Sequence, residues 1–157
     1  MATNKSKAIQ KQERLEHANA LLRIIASYGR RFFWYGGSNV YDEKTGQATF
    51  VPADRYARFE LRRGYLYFID EYSQKAIYLH KTGFRNRWRG FNQGGTMRSL
   101  VENIRDYITE GTPVPRWKIV IKQFGHSDLV DNIWGYKADD AAKVRELAYA
   151  LPIFAAE

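Results

Sequence analysis

The segment that most constrains the fold is residues 56–80. Ala57, Phe59 and Leu61 alternate there with Arg58, Glu60 and Arg62, the period-two pattern of a strand with one buried face. Arg63-Gly64 reads as a turn. Residues 65–72 return with apolar side chains on both faces, as a central strand would. Ser73-Gln74 turns the chain again into a third strand at 76–80. The segment predicts a three-stranded antiparallel meander, with Phe59, Leu61, Phe68 and Ile77 among its buried residues.

Such a sheet needs something to cover its apolar face, and three helical patterns supply it. Leu15, Ala18, Leu22, Ile25 and Ala26 fall on one face of a helix over 9–28, stopped by Gly29. A second helix is predicted over 99–108. Ser99 and Glu102 have capping-box spacing, Leu100, Val101, Ile104, Tyr107 and Ile108 form the stripe, and Gly111 ends it. A third covers 140–151, with Val144, Leu147, Ala148 and Leu151 inward and Asp139 and Asp140 complementing its dipole.

Between the first helix and the meander, 31–35 is aromatic. Residues 39–41 and 48–51 flank a hairpin turn at 42–46, and Pro52 is expected to end that hairpin. Past Pro113 and Pro115, residues 116–124 alternate as a strand, with 133–136 as a short partner. The prediction is an α+β chain: N-terminal helix, antiparallel meander, central helix, one or two further strands, C-terminal helix. Residues 1–8 are expected as a flexible basic start and 9–157 as a single domain, with a sub-boundary near 111–116. The order of the first elements resembles the α-β-β-β-α order of double-stranded-RNA-binding domains. The resemblance is one of order alone, because that family's His-containing loop and lysine-rich helix start have no counterpart here.

Composition narrows the chemistry. The absence of cysteine excludes disulfides, thiolate catalysis and Cys-ligated zinc. Residues 1–13 lack the apolar core of a signal peptide, and no apolar run approaches spanning length, so the expectation is a cytoplasmic chain with no membrane contact. The net charge is +8. Basic residues concentrate at 1–35 and 52–91, while 119–157 is mildly acidic, which points to an anionic partner on one side.

The richest stretch is 81–91. If it is extended, Arg85, Arg87 and Arg89 project to one face and Phe84, Asn86 and Trp88 to the other. Three guanidiniums on one face suit phosphates or carboxylates, and Trp88 either stacks on bases or packs in the core. Gly94, Gly95 and Thr96 open a helix whose free N–H groups suit an anion, with Lys81 and Arg98 alongside. The Gly-Lys-Ser/Thr ending of a P-loop is missing. Lys5, Lys7, Lys11 and Arg14 form a secondary basic patch.

Catalysis has little support. His17, His80 and His126 lack metal-ligand spacing, and His126-Ser127-Asp128 is contiguous and so cannot take triad geometry. Asp54 and Asp70-Glu71 lack the Glu-x-Lys of acidic nucleases, the nearest approach being Glu60-Leu61-Arg62. No catalytic residue, metal or cofactor is predicted. Two readings stand. One is non-catalytic binding of DNA or RNA through backbone contacts, with Trp88 or exposed tyrosines stacking. The other is a phage- or plasmid-borne docking inhibitor, of anti-defence or anti-CRISPR type, that binds an acidic face of a nucleic-acid-handling complex.

Overall fold

The computed structural model describes residues 6–80, 88–119 and 136–155. Helix α1 (Lys7–Ser27) is followed by strands β1 (Trp34–Tyr41) and β2 (Ala48–Tyr56). Strands β3 (Arg58–Arg62), β4 (Tyr65–Ile69) and β5 (Ala76–Tyr78) come next, and then helices α2 (Gly95–Glu110) and α3 (Ala138–Tyr149). The chain is α+β, with its helices and two antiparallel sheets in the expected order.

The meander forms in order β3-β4-β5. Its register pairs Phe59 with Phe68 and Phe68 with Ile77 on the inner face. All three are buried, while Leu61 is partly buried. Arg63 and Gly64 both have positive φ (53° and 82°), the signature of the tight hairpin turn that matches strand twist.

Strand β3 is an edge strand, so its outer backbone groups need partners. Asn19 of α1 provides them: its amide nitrogen donates to the Phe59 carbonyl (3.0 Å), and its amide oxygen accepts from the Phe59 N–H (2.6 Å). A helix side chain thus completes one rung of the sheet. Helix α1 also packs against α2 and α3, burying Leu15, Ala18, Leu21, Leu22, Ile25 and Ala26. Gly29 ends this region at φ +62°, where an added Cβ would lie 2.5 Å from the Tyr136 ring. The Tyr136 hydroxyl donates to the Ile25 carbonyl at 2.9 Å.

Four expectations are corrected. First, the helix begins at Lys7 and not near residue 9, capped by the Ser6 hydroxyl accepting from the Ile9 N–H.

Second, Pro52 lies within β2. The register shifts between Tyr35 and Gly37, and Gly37 (φ +117°) sits opposite Pro52. The extra residue lies in β2 itself, where Ala53 and Asp54 together face Gly36. This bulge beside the proline accommodates its missing N–H, and the strand runs on to Tyr56.

Third, α2 starts a turn early, with Gly94 as a cap that makes no side-chain hydrogen bond. Ser99 is interior, and its hydroxyl accepts from Lys118 Nζ at 2.6 Å. Buried Met97 extends the apolar stripe backward, which is why the helix does not wait for Ser99.

Fourth, the start of the 116–124 strand is a 3-10 turn, Arg116–Ile119. Pro115 lacks a ladder donor, and pairing here is reduced to a parallel bridge between Val114 and Phe154. Residues 120–124 and 133–135 lie outside the described residues.

Candidate nucleic-acid interface

The basic residues singled out from the sequence are placed very differently from one another. Lys81, Arg85 and Arg87 lie outside the described residues, as does Lys5. Arg89 is exposed, but it sits in a turn closed by the Phe91 N–H donating to the Trp88 carbonyl, so residues 88–91 are not an extended ribbon. Trp88 is 8% exposed. Its ring meets Phe91 edge to face at 5.4 Å and is covered by the Arg98 guanidinium at 4.5 Å. Its surface is spent on the core. Arg98 itself is turned inward onto Trp88 and Glu102 (3.3 Å).

Gly94, Gly95 and Thr96 are exposed at the start of α2, and no acidic side chain occupies its first turn. In the secondary patch, Lys7 is exposed. Lys11 donates to the Gly64 carbonyl and Arg14 to the Ile108 carbonyl, each at 2.9 Å. Those two cations tether α1 to the meander turn and to the end of α2.

The larger feature is the outer face of the meander. Strand alternation that sends Phe59, Leu66, Phe68 and Ile77 inward sends Arg58, Glu60, Arg62, Tyr65, Tyr67 and Tyr78 outward. The register sets Glu60 beside Tyr67, Tyr67 beside Tyr78, and Arg62 beside Tyr65. Tyr65 and Tyr67 each lie against Tyr78, at centroid distances of 6.1 and 5.6 Å. The Arg62 guanidinium stands 5.5 Å from the Tyr67 ring centre. Tyr65 is exposed, and Tyr67 and Tyr78 are half-buried.

Glu60 organises the arginines. One carboxylate oxygen pairs with Arg58 (2.9 Å) and the other with Arg62 (2.8 Å). Hydrogen bonding to Arg62, with Arg58 adding to it, holds the Glu60 carboxyl below its usual range. Two forked donors are thereby fixed on one surface, with Arg63 exposed in the adjacent turn. Reading 65–72 as apolar on both faces hid this arrangement. The signal available was that every outward position of β4's first half is Tyr, an amphipathic side chain, against Leu and Phe inward.

Asp70 and Glu71 have structural duties. Asp70 is buried and accepts from the N–H groups of Tyr72, Ser73 and Asn92. It binds the β4–β5 turn to the segment leading into α2. Glu71 is also buried. One of its oxygens accepts from Gln93 Nε2 and Asn92 Nδ2, and the other has no partner. Burial, with the Asp70 charge adding to it, raises the Glu71 carboxyl above its usual range.

A folded-state value above the unfolded one means that the folded chain holds the proton where the unfolded chain has released it. Stability from this group therefore falls as pH rises from the unfolded value through the folded one. Replacing Glu71 with Gln keeps the acceptor for Gln93 and removes the titration. The expected result is a variant matching wild type in denaturation midpoint near pH 4 and exceeding it at pH 7. An equal difference at both pH values would show that Glu71 does not titrate in this way.

Among the described residues no group of three or more His, Cys, Asp or Glu is placed to hold a metal ion, and no helix is long and apolar enough to cross a membrane.

The fold and this face together define a small basic α+β protein that presents tyrosines and glutamate-braced arginines on one open sheet surface. The chain belongs to the YoqU family, whose model matches residues 8–154. It is 26% identical over 136 residues to the SPbeta prophage-derived uncharacterized protein YoqU of Bacillus subtilis (strain 168), covering 87% of this chain and 79% of that protein. No solved structure matches it. Neither the family description nor the relative's name indicates an enzymatic family.

Proposed function

We propose that this chain is a non-catalytic, single-stranded nucleic-acid-binding protein of a phage or mobile element. The observation that carries the reading is the Tyr65–Tyr67–Tyr78 cluster on an open sheet face, flanked by Arg58, Arg62 and Arg63. Bases of a single strand stack on exposed aromatic rings, and guanidiniums beside the rings meet the phosphates. A duplex keeps its bases paired and offers no ring faces to such a surface. The prophage source of the relative supports the mobile-element setting. The net charge of +8 supports a polyanionic ligand. With Trp88 in the core, stacking falls to the tyrosines.

The test is a salt titration of binding to a fluorescent single-stranded oligonucleotide, read by anisotropy. Replacing Arg58, Arg62 and Arg63 with Ala should lower the magnitude of the salt slope by up to roughly 2.1, the counterion release of three single-strand phosphates. Replacing Glu60 with Gln should strengthen binding, since Glu60 competes with phosphates for two of those arginines. Retention of an acidic protein, with no oligonucleotide bound at low salt, would replace this reading with a protein-docking one.

A further inference from the structure

The β1–β2 hairpin is an arm. Every residue from 38 to 52 is exposed, yet the stretch is not polar. Val40, Tyr41, Phe50 and Val51 are 54%, 65%, 58% and 49% exposed. The register places Val40 opposite Thr49 and Ser38 opposite Val51 on one face, and Tyr41 opposite Ala48 and Asn39 opposite Phe50 on the other. Both faces of the arm therefore carry large apolar side chains.

Its root is braced. Arg31 lies 3.5 Å over the Trp34 ring, Arg55 lies 4.3 Å over the Tyr35 ring, and the Trp34 indole donates to Asp54 at 2.6 Å. The turn is also closed, with Asp42 accepting from the N–H groups of Lys44 and Gly46. A fixed root and a closed tip hold an apolar ribbon out from the body on both sides.

We infer that the arm is a dimerisation element that lies on a second copy of this chain, exchanged reciprocally about a two-fold axis. Charge selects the occupant. Residues 38–52 carry Asp42 and Glu43 against Lys44, while the whole chain is +8. The acidic tip is thus complementary to the body of the same protein. An isologous contact also uses every arm twice, which closes the assembly. Size agrees: a standard interface takes about 20–30 residues from each partner. The fifteen uncovered arm residues (38–52) alone supply most of the lower figure.

Sedimentation velocity across a concentration series tests this. Wild type should reach the mass of two chains. Val40→Ser with Phe50→Ser should raise the dimer dissociation constant at least tenfold, with the circular dichroism spectrum unchanged because both residues are exposed. Glu43→Lys, which leaves the Asp42 turn contacts in place, should also weaken the dimer. Glu16→Lys adds the same charge at an exposed site outside residues 38–52 and should leave the dimer largely intact. A monomeric wild type overturns the inference. So does a dimer indifferent to the two arm variants, or one equally weakened by both charge variants.

Discussion

Phe68→Ala is expected to destabilise the protein by about 3–5 kcal/mol, the range for removing a fully buried aromatic side chain. Phe68 is completely buried at the centre of the meander. Its ring meets Phe33 and Phe59 edge to face at 6.0 and 5.4 Å and lies 5.5 Å from Phe91. It therefore joins the segment after α1, strand β3 and the segment before α2. Removing the ring leaves a cavity between three parts of the chain at once. For a chain of this length the thermal midpoint should fall by roughly 6–20 °C. Chemical denaturation of the variant measures the effect, and a loss under 1 kcal/mol would mean that the inner face of the sheet is not the packed centre of the core.

The second large effect is on the opposite side of the same strand. Replacing Tyr65 and Tyr67 with Ala is expected to weaken single-strand binding by about 2–6 kcal/mol, taking 1–3 kcal/mol for each stacked base. That is at least thirtyfold in affinity. Stability should change little by comparison, since Tyr65 is exposed and Tyr67 half-buried against Tyr78. The split is diagnostic: Phe68 carries the fold and Tyr67, one residue before it, carries the ligand.

The meander was legible because its alternation is strict and its turn residues stand where positive φ is required, Arg63-Gly64 above all. The start of α2 was not. Ser99 and Glu102 have the spacing of a capping box, but that spacing also arises inside a helix, and Met97 belonged to the stripe. Residues 116–124 alternate like a strand, yet the first four, directly behind Pro115, form a 3-10 turn. The β1–β2 arm was readable as a hairpin. Its continuation past Pro52 depends on a bulge at Ala53-Asp54 that only the pairing reveals.

The site was the least legible part. Charge counts treat every Lys and Arg as surface, whereas long side chains lay their stems along the protein and carry their heads to specific acceptors. Lys11, Arg14 and Arg98 are used in this way, on Gly64, Ile108 and Trp88. Trp88 admitted both readings from sequence, and its contacts with Phe91 and Arg98 assign it to the core. Conversely, Tyr65 and Tyr67 count as apolar in a strand read as apolar on both faces, so the pattern does not say which tyrosines are exposed, although a phenol tolerates the surface. Which face of the sheet each ring takes follows from register, and register followed from the turns.

The most direct measurement is the binding of a short single-stranded oligothymidylate at low salt, by fluorescence anisotropy, to wild type and to the Tyr65→Ala, Tyr67→Ala variant, with a duplex of equal length as competitor. The sheet-face account predicts saturable binding by wild type, loss of at least thirtyfold in the variant, and weak competition by the duplex. Equal affinity of wild type and variant, or no binding of the single strand at all, would contradict it.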